Sequence, residues 1–389
     1  MIKIDYTQKI DLKGNDFSGK EIPSFASYAP NIEEIKSFGK ELLKYQNIII
    51  IGRGGSVTSF RAYFDALVRF STNKKVYIVD TADPDYLNYV KKNCPTSKTV
   101  IIVISKSGKT IDVIENYLYF SNYKNVFITT LDGNPLHEIA KSKNIKVLEH
   151  PEIGGRYSGL TATALLPAFL VGINIDNLWR GAKKAYAEFG SAKKGNQAAF
   201  LASYLYNFDQ KGFVDIYLPI YSERLGGFSE LIMQLIHESV GKGGRGPTIL
   251  PVSAPESQHH TNQRYFGGRK NIQGLFLRVE NFESDIKLVV DNQLSGLEIR
   301  SGELGAVNGL PISKTMRAEF IGTFEDSKKR GVPAAAITVE KINEESVGYF
   351  TGLLHFLTVY LSWLNNVDPF DQPEVESSKE ISFKERFRK

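Results

Sequence analysis

The sequence predicts an α/β protein made of two units, each with a parallel β-sheet sandwiched between helices. Three observations lead to this prediction. The chain has 389 residues, which is too long for one typical domain and fits two. Short apolar runs rich in β-branched residues alternate with segments of helical spacing, as in parallel sheets. This alternation is interrupted by a long helical stretch and then restarts, so a second unit of similar plan follows the first.

The first predicted unit spans residues 38–178 and follows an N-terminal extension, residues 1–37, of weak periodicity. Helices are predicted at residues 60–70 and 86–90, and a helical stretch at residues 163–189, interrupted near Asn174, leads out of the unit. The predicted strands of this unit are, in chain order, residues 47–51, 76–79, 100–104, 126–129 and 146–148.

The second predicted unit spans residues 179–365 and repeats this plan. Residues 285–311 are rich in glycine and leucine, show no clear period and receive no assignment. A C-terminal segment, residues 366–389, ends in a basic tail. The predicted strands are residues 214–220, 273–279 and 334–339, and the predicted helices are residues 227–239, 314–329 and 346–364.

The composition excludes several classes of protein. Apolar residues make up 42% of the chain and charged residues 23%, ordinary values for a globular protein. The net charge of +5 would help to steer an anionic substrate, but the basic residues are too dispersed to predict nucleic-acid binding. The single cysteine, Cys94, excludes an internal disulfide and fits a reducing compartment. Because neither a membrane-length apolar run nor a signal-peptide pattern is present, we expect a cytoplasmic protein without a membrane partner.

The turn at residues 105–110 is the first candidate binding site. Ser-Lys-Ser-Gly-Lys-Thr follows the buried strand at 100–104 and precedes apolar residues at helical spacing. Free backbone N–H groups and the helix dipole favour an anion at such a position. The turn therefore predicts a phosphate site for a small molecule, although an ordinary capped turn has the same composition. Ile104 stands where a Walker P-loop requires glycine, which excludes that motif.

A glycine turn at residues 52–56 follows the first predicted strand. A dinucleotide-binding fingerprint needs a third glycine five residues after the first, and Val57 occupies that position. Asp80 does end the next strand, so an oxidoreductase stays open as a weaker alternative. The other use of such a turn is close approach of the backbone to a sugar or phosphate, with Ser56 as a donor.

Six short motifs carry a resemblance to a known family. They are Gly52–Ser56, Ser105–Thr110, Gly154–Ser158, His237–Lys242, Gln258–His259, and Phe370-Asp371-Gln372 through Lys379. In this order they resemble the glucose-6-phosphate isomerase family, which is built from two sugar-isomerase (SIS) domains. The resemblance covers roughly residues 47–380. It implies two SIS-type units and the reversible isomerisation of glucose 6-phosphate to fructose 6-phosphate, without a metal or another cofactor.

The resemblance also implies roles for individual residues. Glu238 is expected to be the catalytic base and Arg156 the cation beside the developing negative charge. His259 and Lys379 are expected to open the sugar ring. The family likeness further implies a homodimer in which His259 reaches the active site of the neighbouring subunit. The expected substrate contacts are Gly55, Ser56, Ser105, Lys106, Ser107, Thr110, Gln234 and Gln372.

The chemistry of an aldose–ketose conversion explains why these residue types are needed. The ring must open, and a proton must move from C2 to C1 of the sugar phosphate. A carboxylate held over both carbons can make both transfers through a cis-enediol. A fixed guanidinium stabilises the negative charge on oxygen, and an imidazole that titrates near neutrality suits ring opening. The phosphate only holds the carbons in register.

Other functions remain open at this point. A sugar-phosphate-binding SIS regulator would keep the turn at 105–110 but need not keep Glu238, His259 and Lys379 together. An isomerase with dual glucose and mannose 6-phosphate specificity would share every residue named. A glucosamine-phosphate synthase would need an N-terminal nucleophilic cysteine, and the chain has only Cys94. The adjacent His259 and His260 could bind a metal, but a second pair of ligands at useful spacing is missing from the sequence.

Overall fold

The computed structural model describes residues 1–10, 17, 19–129, 133–191 and 195–388. Two five-stranded sheets form the framework of this described part, together with one two-stranded hairpin. The strands are β1 Ile2–Tyr6, β2 Asn47–Ile51, β3 Lys75–Val79, β4 Thr99–Ile104, β5 Lys124–Thr129, β6 Lys146–Glu149, β7 Asp215–Tyr221, β8 Thr248–Ser253, β9 Ile272–Asn281, β10 Glu298–Ile299, β11 Gly302–Glu303 and β12 Ala334–Lys341.

Helices separate most of these strands along the chain. They are α1 Ser24–Ser27, α2 Ile32–Lys40, α3 Gly55–Leu67, α4 Pro84–Asn93, α5 Ile111–Tyr119, α6 Pro135–Lys143, α7 Ala162–Leu170, α8 Ile175–Phe189, α9 Gln197–Asp209, α10 Phe228–Val240, α11 Thr261–Gly267, α12 Ile312–Lys329, α13 Glu344–Leu364 and α14 Glu376–Glu385. Short 3₁₀ helices at Gly155–Leu160 and Glu256–His259 carry two of the predicted site residues.

The first sheet is parallel throughout, in the order β3-β2-β4-β5-β6. Its two central strands pair in register from Asn47 with Thr99 to Ile51 with Val103. Every residue of both strands is buried, because helices cover both faces of the sheet. This burial explains why the sequence shows unbroken apolar runs here rather than alternation.

The second sheet has the order β1-β12-β9-β7-β8. Its last four strands are parallel, and β1 joins the edge in the antiparallel direction, from Ile2 opposite Val339 to Tyr6 opposite Ala335. Residues 1–37 were predicted to be a packed extension of weak periodicity rather than a domain. The first part of that extension completes the sheet that lies farther along in sequence, a pairing that local periodicity cannot reveal.

The core is layered. One apolar cluster lies between the two sheets and combines their inner faces with α3, α7, α8, α9, α10 and α13. A second cluster covers the outer face of the first sheet with α4, α5 and α6. A third covers the outer face of the second sheet with α11 and α12. The fold is therefore five alternating layers of helix and sheet, and the predicted fold class of two sheets, each sandwiched between helices, is confirmed.

Helix α13 is the centre of the shared core. It begins with a capping box between Asn343 and Ser346, which satisfies donors at the helix start. Within the described part of the chain it is the one helix long and apolar enough to cross a membrane, but 89% of its apolar window is buried inside the protein. Its apolar surface is explained by packing against α8, α9 and α10.

The predicted elements agree with the structure to within a few residues, except at helix starts and in the second unit. Helix α3 was predicted to begin at Phe60, but it begins at Gly55, because its first turn is part of the glycine turn. The predicted interruption near Asn174 is the N-cap of α8, where the Asn174 side chain accepts from the Asn177 N–H. Helix α9 and strand β8 were not predicted.

Candidate active site

The glycine turn and the Arg156 turn are packed directly against each other. Gly54 has a φ of +51°, a conformation that favours glycine. A Cβ on Gly55 would lie 2.2 Å from the backbone nitrogen of Arg156 and 2.2 Å from the carbonyl carbon of Gly155. Only glycine fits at position 55, and its contact in this structure is the peptide that leads into Arg156. The turn after β2 therefore fixes the position of the Arg156 backbone.

The predicted phosphate turn lies beside the glycine turn, at the carboxyl end of the neighbouring strand β4. The hydroxyls of Ser105 and Thr110 are 3.1 Å apart and share a hydrogen bond. Ser107 Oγ accepts from the backbone N–H of Lys109 at 3.2 Å. Thr110 is the N-cap residue of α5, but its side chain makes no capping hydrogen bond. Its hydroxyl is thus directed to Ser105 and not to the helix, unlike the ordinary capped turn considered from sequence.

Charged side chains flank this turn. Lys106 Nζ lies 3.0 Å from a carboxylate oxygen of Glu152. Arg53, in the glycine turn, forms an ion pair with Asp112 in the first turn of α5. This ion pair joins the glycine turn to α5, the helix that follows the phosphate turn. The edge of the first sheet is therefore lined with donors and cations, which suits an anionic ligand.

Arg156 is the most extensively bonded side chain of the site. It is 2% exposed. Its Nη1 donates to Glu238 Oε2 at 2.8 Å and to Gln372 Oε1 at 2.7 Å. Its Nε donates to Ser239 Oγ at 2.8 Å, and its Nη2 donates to the carbonyls of Pro369 and Asp371 at 2.9 and 2.8 Å. Such a complete set of acceptors is what a buried guanidinium requires.

Glu238 occupies the last turn of α10. Its Oε1 accepts from Gln234 Nε2 at 2.7 Å, and Gln234 precedes it by four residues, on the same helix face. Thr58 Oγ1, on α3, donates to Gln234 Oε1 at 2.9 Å. The Glu238 side chain is 30% exposed, so the carboxylate is held by neighbours on both oxygens and still reaches an open surface. The structure brings together Glu238, Gln234, Arg156 and Gln372, four of the residues for which the family resemblance implies a role.

Three residues of this network were not singled out from the sequence. Ser239 accepts from Arg156, and Tyr157 OH lies 3.0 Å from the same serine hydroxyl. Burial raises the pKa of Tyr157 to about 12, so the phenol stays protonated. Thr58 is the third residue. Ser239 and Tyr157 are the immediate neighbours of predicted residues in their motifs, which is the signal that could have pointed to them.

His259 and Lys379 lie apart from this group. His259 ends the 3₁₀ helix after β8 and is exposed. Lys379, on α14, is 63% exposed and pairs with Glu376 at 2.7 Å. In the described part of the chain, no hydrogen bond or ion pair connects either residue to Arg156 or Glu238. A bidentate pair between Arg386 and Glu115, at 2.8 and 3.2 Å, holds α14 against α5.

Two further histidines, His237 and His355, lie on helices and have structural contacts. His237 Nε2 accepts from the backbone N–H of Ile249 at 2.9 Å, which ties α10 to β8. Burial lowers the pKa of His237, in keeping with a neutral acceptor nitrogen. His355 is fully buried on α13 beside the Tyr186 hydroxyl at 2.9 Å, and burial lowers its pKa to about 3. Among the residues that the structure describes, no group of three or more potential metal ligands is found.

Solved structures share this fold over nearly its whole length. A hypothetical protein from Thermus thermophilus has a TM-score of 0.84 at 23% identity and matches 94% of this chain and 89% of its own. A glucose-6-phosphate isomerase from Chlamydia trachomatis has a TM-score of 0.78 at 18% identity, over 91% of this chain and 72% of its own. At these identities the likeness shows the fold, which is one that phosphosugar isomerases use.

Sequence comparison identifies the family. A sequence model described as phosphoglucose isomerase matches residues 26–268. A glucose-6-phosphate isomerase from Acholeplasma laidlawii is 30% identical over 390 residues, covering 95% of this chain and 90% of the relative. A probable glucose-6-phosphate isomerase from Methanococcus maripaludis is 28% identical over 369 residues, covering 90% and 81%. The chain belongs to the phosphoglucose isomerase family, and the prediction of an isomerase is confirmed.

Proposed function

We propose that this chain interconverts glucose 6-phosphate and fructose 6-phosphate in the cytoplasm, through ring opening and a cis-enediol intermediate. The observation that carries the proposal is the pair of Glu238 and Arg156, 2.8 Å apart, next to the donor-rich turn at 105–110. A carboxylate, a buried cation and an anion site are the three groups that the reaction requires. The names of the relatives in the family agree with this activity.

Glu238 is the proposed base. It takes the proton from C2 of the opened sugar and returns it to C1, which needs a carboxylate that faces both carbons. Gln234 holds one carboxylate oxygen at 2.7 Å, and Thr58 orients Gln234 in turn. This support fixes the direction of the carboxylate, while its 30% exposure leaves room for a substrate.

Arg156 is the proposed partner of the enediol. Its guanidinium is immobilised by five acceptors, so it needs little reorganisation when negative charge develops on oxygen. Gln372 shares the Nη1 donor with Glu238 and is therefore placed beside the same ligand. A cation that is already fixed stabilises the transition state more than the neutral ground state.

The turn at 105–110 is the proposed phosphate site, with Ser105, Lys106, Ser107 and Thr110 as its side-chain donors. Gly55 and Ser56 lie on the adjacent turn. The free energy of phosphate binding would hold the carbon chain against Glu238 without taking part in the proton transfer. Neither step calls for a metal or a redox cofactor.

We infer further that the active form is a homodimer. His259, the proposed ring-opening residue together with Lys379, is exposed on its own chain. The segment 283–312 also exposes apolar side chains, among them Val289 at 90% and Ile286 at 67%, more than an isolated chain usually leaves in contact with water. A two-fold partner would cover such surface and could receive His259 in its own site.

A coupled assay with fructose 6-phosphate in the presence of a chelator tests the proposed function. We expect glucose 6-phosphate to form at a rate that the chelator leaves unchanged. Mannose 6-phosphate in a parallel assay distinguishes a dual-specificity isomerase. Tight binding of either sugar phosphate without turnover would instead identify a sugar-phosphate-binding regulator and overturn the proposal.

A further inference from the structure

The second sheet has a ligand position that corresponds to the candidate active site of the first. In open α/β sheets, ligands bind at the carboxyl ends of the two strands between which the strand order reverses. In the first sheet these strands are β2 and β4, and the glycine and phosphate turns follow them. In the second sheet they are β7 and β9. None of the residues proposed for the isomerase reaction lies at the ends of these two strands.

A cavity of about 580 Å³ lies at this second position. It is bounded by the end of β7, the end of β9 and the first three turns of α12. Its charged members are Arg278, Glu280, Lys314 and Arg317, and its apolar members include Phe320 and Met316. The volume is sufficient for a small organic molecule.

Arg278 lines this cavity, and two of its three side-chain nitrogens donate no hydrogen bond to the described residues. It is 9% exposed, and its guanidinium lies 4.7 Å from the centre of the Phe320 ring. Nη2 donates to Glu280 at 2.5 Å, whereas Nε and Nη1 have no hydrogen-bond partner among the described residues. Neither of these two nitrogens is among the buried atoms that lack partners, so both keep accessible surface on a side chain that lines the cavity. Burial lowers the pKa of this guanidinium, the charge of Glu280 partly offsets that effect, and the charge of Arg317 lowers the pKa further.

Positive charge predominates around the cavity. Three cations face one carboxylate, that of Glu280. Lys314 and Arg317 are exposed and form no ion pair within the part of the chain that the structure describes. Asp285 already accepts from the N–H and hydroxyl of Ser313 at the start of α12, at 3.1 and 2.7 Å. The attraction for an anion therefore comes from the three cations and not from the helix terminus.

We propose that this cavity is a second anion site, which binds a small phosphorylated metabolite. The phosphate would bind to the free donors of Arg278 and to Lys314 and Arg317, because a guanidinium fork matches phosphate geometry. The carbon skeleton would lie on Phe320 and Met316. The site is separate from the residues proposed for isomerisation, so it can be tested independently of them.

Isothermal titration with 6-phosphogluconate and with inorganic phosphate tests this assignment. The experiment starts from the full chain carrying Lys106→Ala and Thr110→Ala, which weaken the first anion site. We expect 6-phosphogluconate still to bind, and at least about tenfold more tightly than inorganic phosphate because of the apolar contacts. Adding Lys314→Ser and Arg317→Ser should weaken that binding by about tenfold or more. Arg278→Lys, which keeps the charge but not the fork, should weaken it several-fold.

The matched control is Lys328→Ser with Lys329→Ser, which removes the same charge from the exposed far end of α12. We expect this control to bind as the parent does. Loss of all binding in the Lys106 and Thr110 background, or equal weakening by the control, would overturn the second site. Equal affinity for both probes would overturn a metabolite as the ligand. A change in sedimentation with unchanged anion binding would identify the cavity as a contact between copies of the chain and would also overturn the proposal.

Discussion

The two units of this protein have the same strand plan but present different parts of it to the candidate active site. In each sheet the first strand of the unit, β2 or β7, pairs on one side with the next strand, and the chain then crosses to the other side. The fifth strand differs. In the first sheet it is the parallel strand β6, and in the second it is β1 from the N-terminus, which runs antiparallel.

The two units contribute different structural elements to the candidate site. The first unit provides two short turns at the carboxyl ends of its strands. The second provides the last two turns of α10, which carry Gln234 and Glu238. Because a crossover helix runs against its strands, this part of α10 lies at the amino-terminal edge of the second sheet. A repeated fold therefore supplies two unlike surfaces to one site, and the carboxyl edge of the second sheet is left for other uses.

Glu238→Gln should have the largest effect and would confirm that the second unit supplies the chemistry. The amide keeps the shape and the contact with Gln234 but cannot accept a proton. We expect kcat for isomerisation to fall by about a thousandfold, together with the exchange of the C2 hydrogen with solvent. Anomer interconversion should persist. Glu230→Gln, two turns earlier on the same helix, is the control. If the C2 hydrogen still exchanged with solvent in Glu238→Gln, a residue other than Glu238 would be the base.

Removing donors from the first unit should affect binding instead. With Lys106→Ala and Thr110→Ala combined, KM for fructose 6-phosphate should rise by about 10- to 100-fold, because two donors to the phosphate are lost. Inorganic phosphate should inhibit the variant correspondingly less. Steady-state kinetics with phosphate as inhibitor measures both constants. If KM and the inhibition constant for phosphate both stayed at their wild-type values, the turn would serve only as the start of α5 and would not bind phosphate.

Gly55→Ala tests the contact that joins the glycine turn to Arg156. The new methyl would collide with the backbone of Gly155 and Arg156. We expect the free energy of unfolding to fall by about 2–3 kcal/mol, as for overpacked cores. Gly322→Ala, in α12 of the second unit, has no atom within 4 Å and should stabilise the protein by about 0.5–1 kcal/mol. Denaturant unfolding of both variants provides the measurement, and equal stabilities would contradict the packing described.

Stability should depend on pH through one buried histidine in each unit. Burial lowers the pKa of His150 to about 4 and that of His355 to about 3. As the pH falls below about 6.5, the unfolded chain binds protons that the folded chain excludes, so stability decreases until those lower values are reached. Each histidine should contribute a slope of about 1.4 kcal/mol per pH unit.

The substitution His355→Gln should reduce the pH dependence of the unfolding free energy by the contribution of one histidine, about 1.4 kcal/mol per pH unit. Unfolding free energies measured at pH 6 and pH 5 give the slope for each protein. His260→Gln, an exposed position, should keep the slope of the wild type. A slope that is the same in His355→Gln and in the wild type would show that His355 takes up its proton in the folded state.

Much of the first unit could be predicted from sequence because its signals are local. Strands such as β2 and β4 are short apolar runs bounded by glycine or hydroxyl residues, and both bounds and burial agree with the prediction. The second unit was harder. Strand β8 is only partly buried, so its sequence lacks a continuous apolar run. Strand β1 is a strand because it pairs with β12, which lies more than 300 residues farther along the chain. Pairings of such separation leave no trace in local periodicity.

The candidate site shows the same limit. The grouping of Glu238, Arg156 and Gln372 was expected from the family resemblance, but the reason that Gly55 must be glycine was not. The sequence suggested that its backbone approaches a ligand, and the structure adds a contact with the Arg156 peptide. Thr58 was missed because a hydroxyl residue on a buried helix has no distinguishing pattern, and Ser239 was missed although it directly follows Glu238 in the same motif. Their roles depend on three-dimensional neighbours.

The most direct test of the account is whether one site needs residues from two chains. Glu238→Gln and His259→Ala are each expected to be nearly inactive as homodimers. After they are mixed, unfolded and refolded together, half of the dimers should be mixed, and each mixed dimer should contain one intact site. We therefore expect about a quarter of wild-type activity. A preparation shown to contain mixed dimers but no more active than its parents would contradict the shared site.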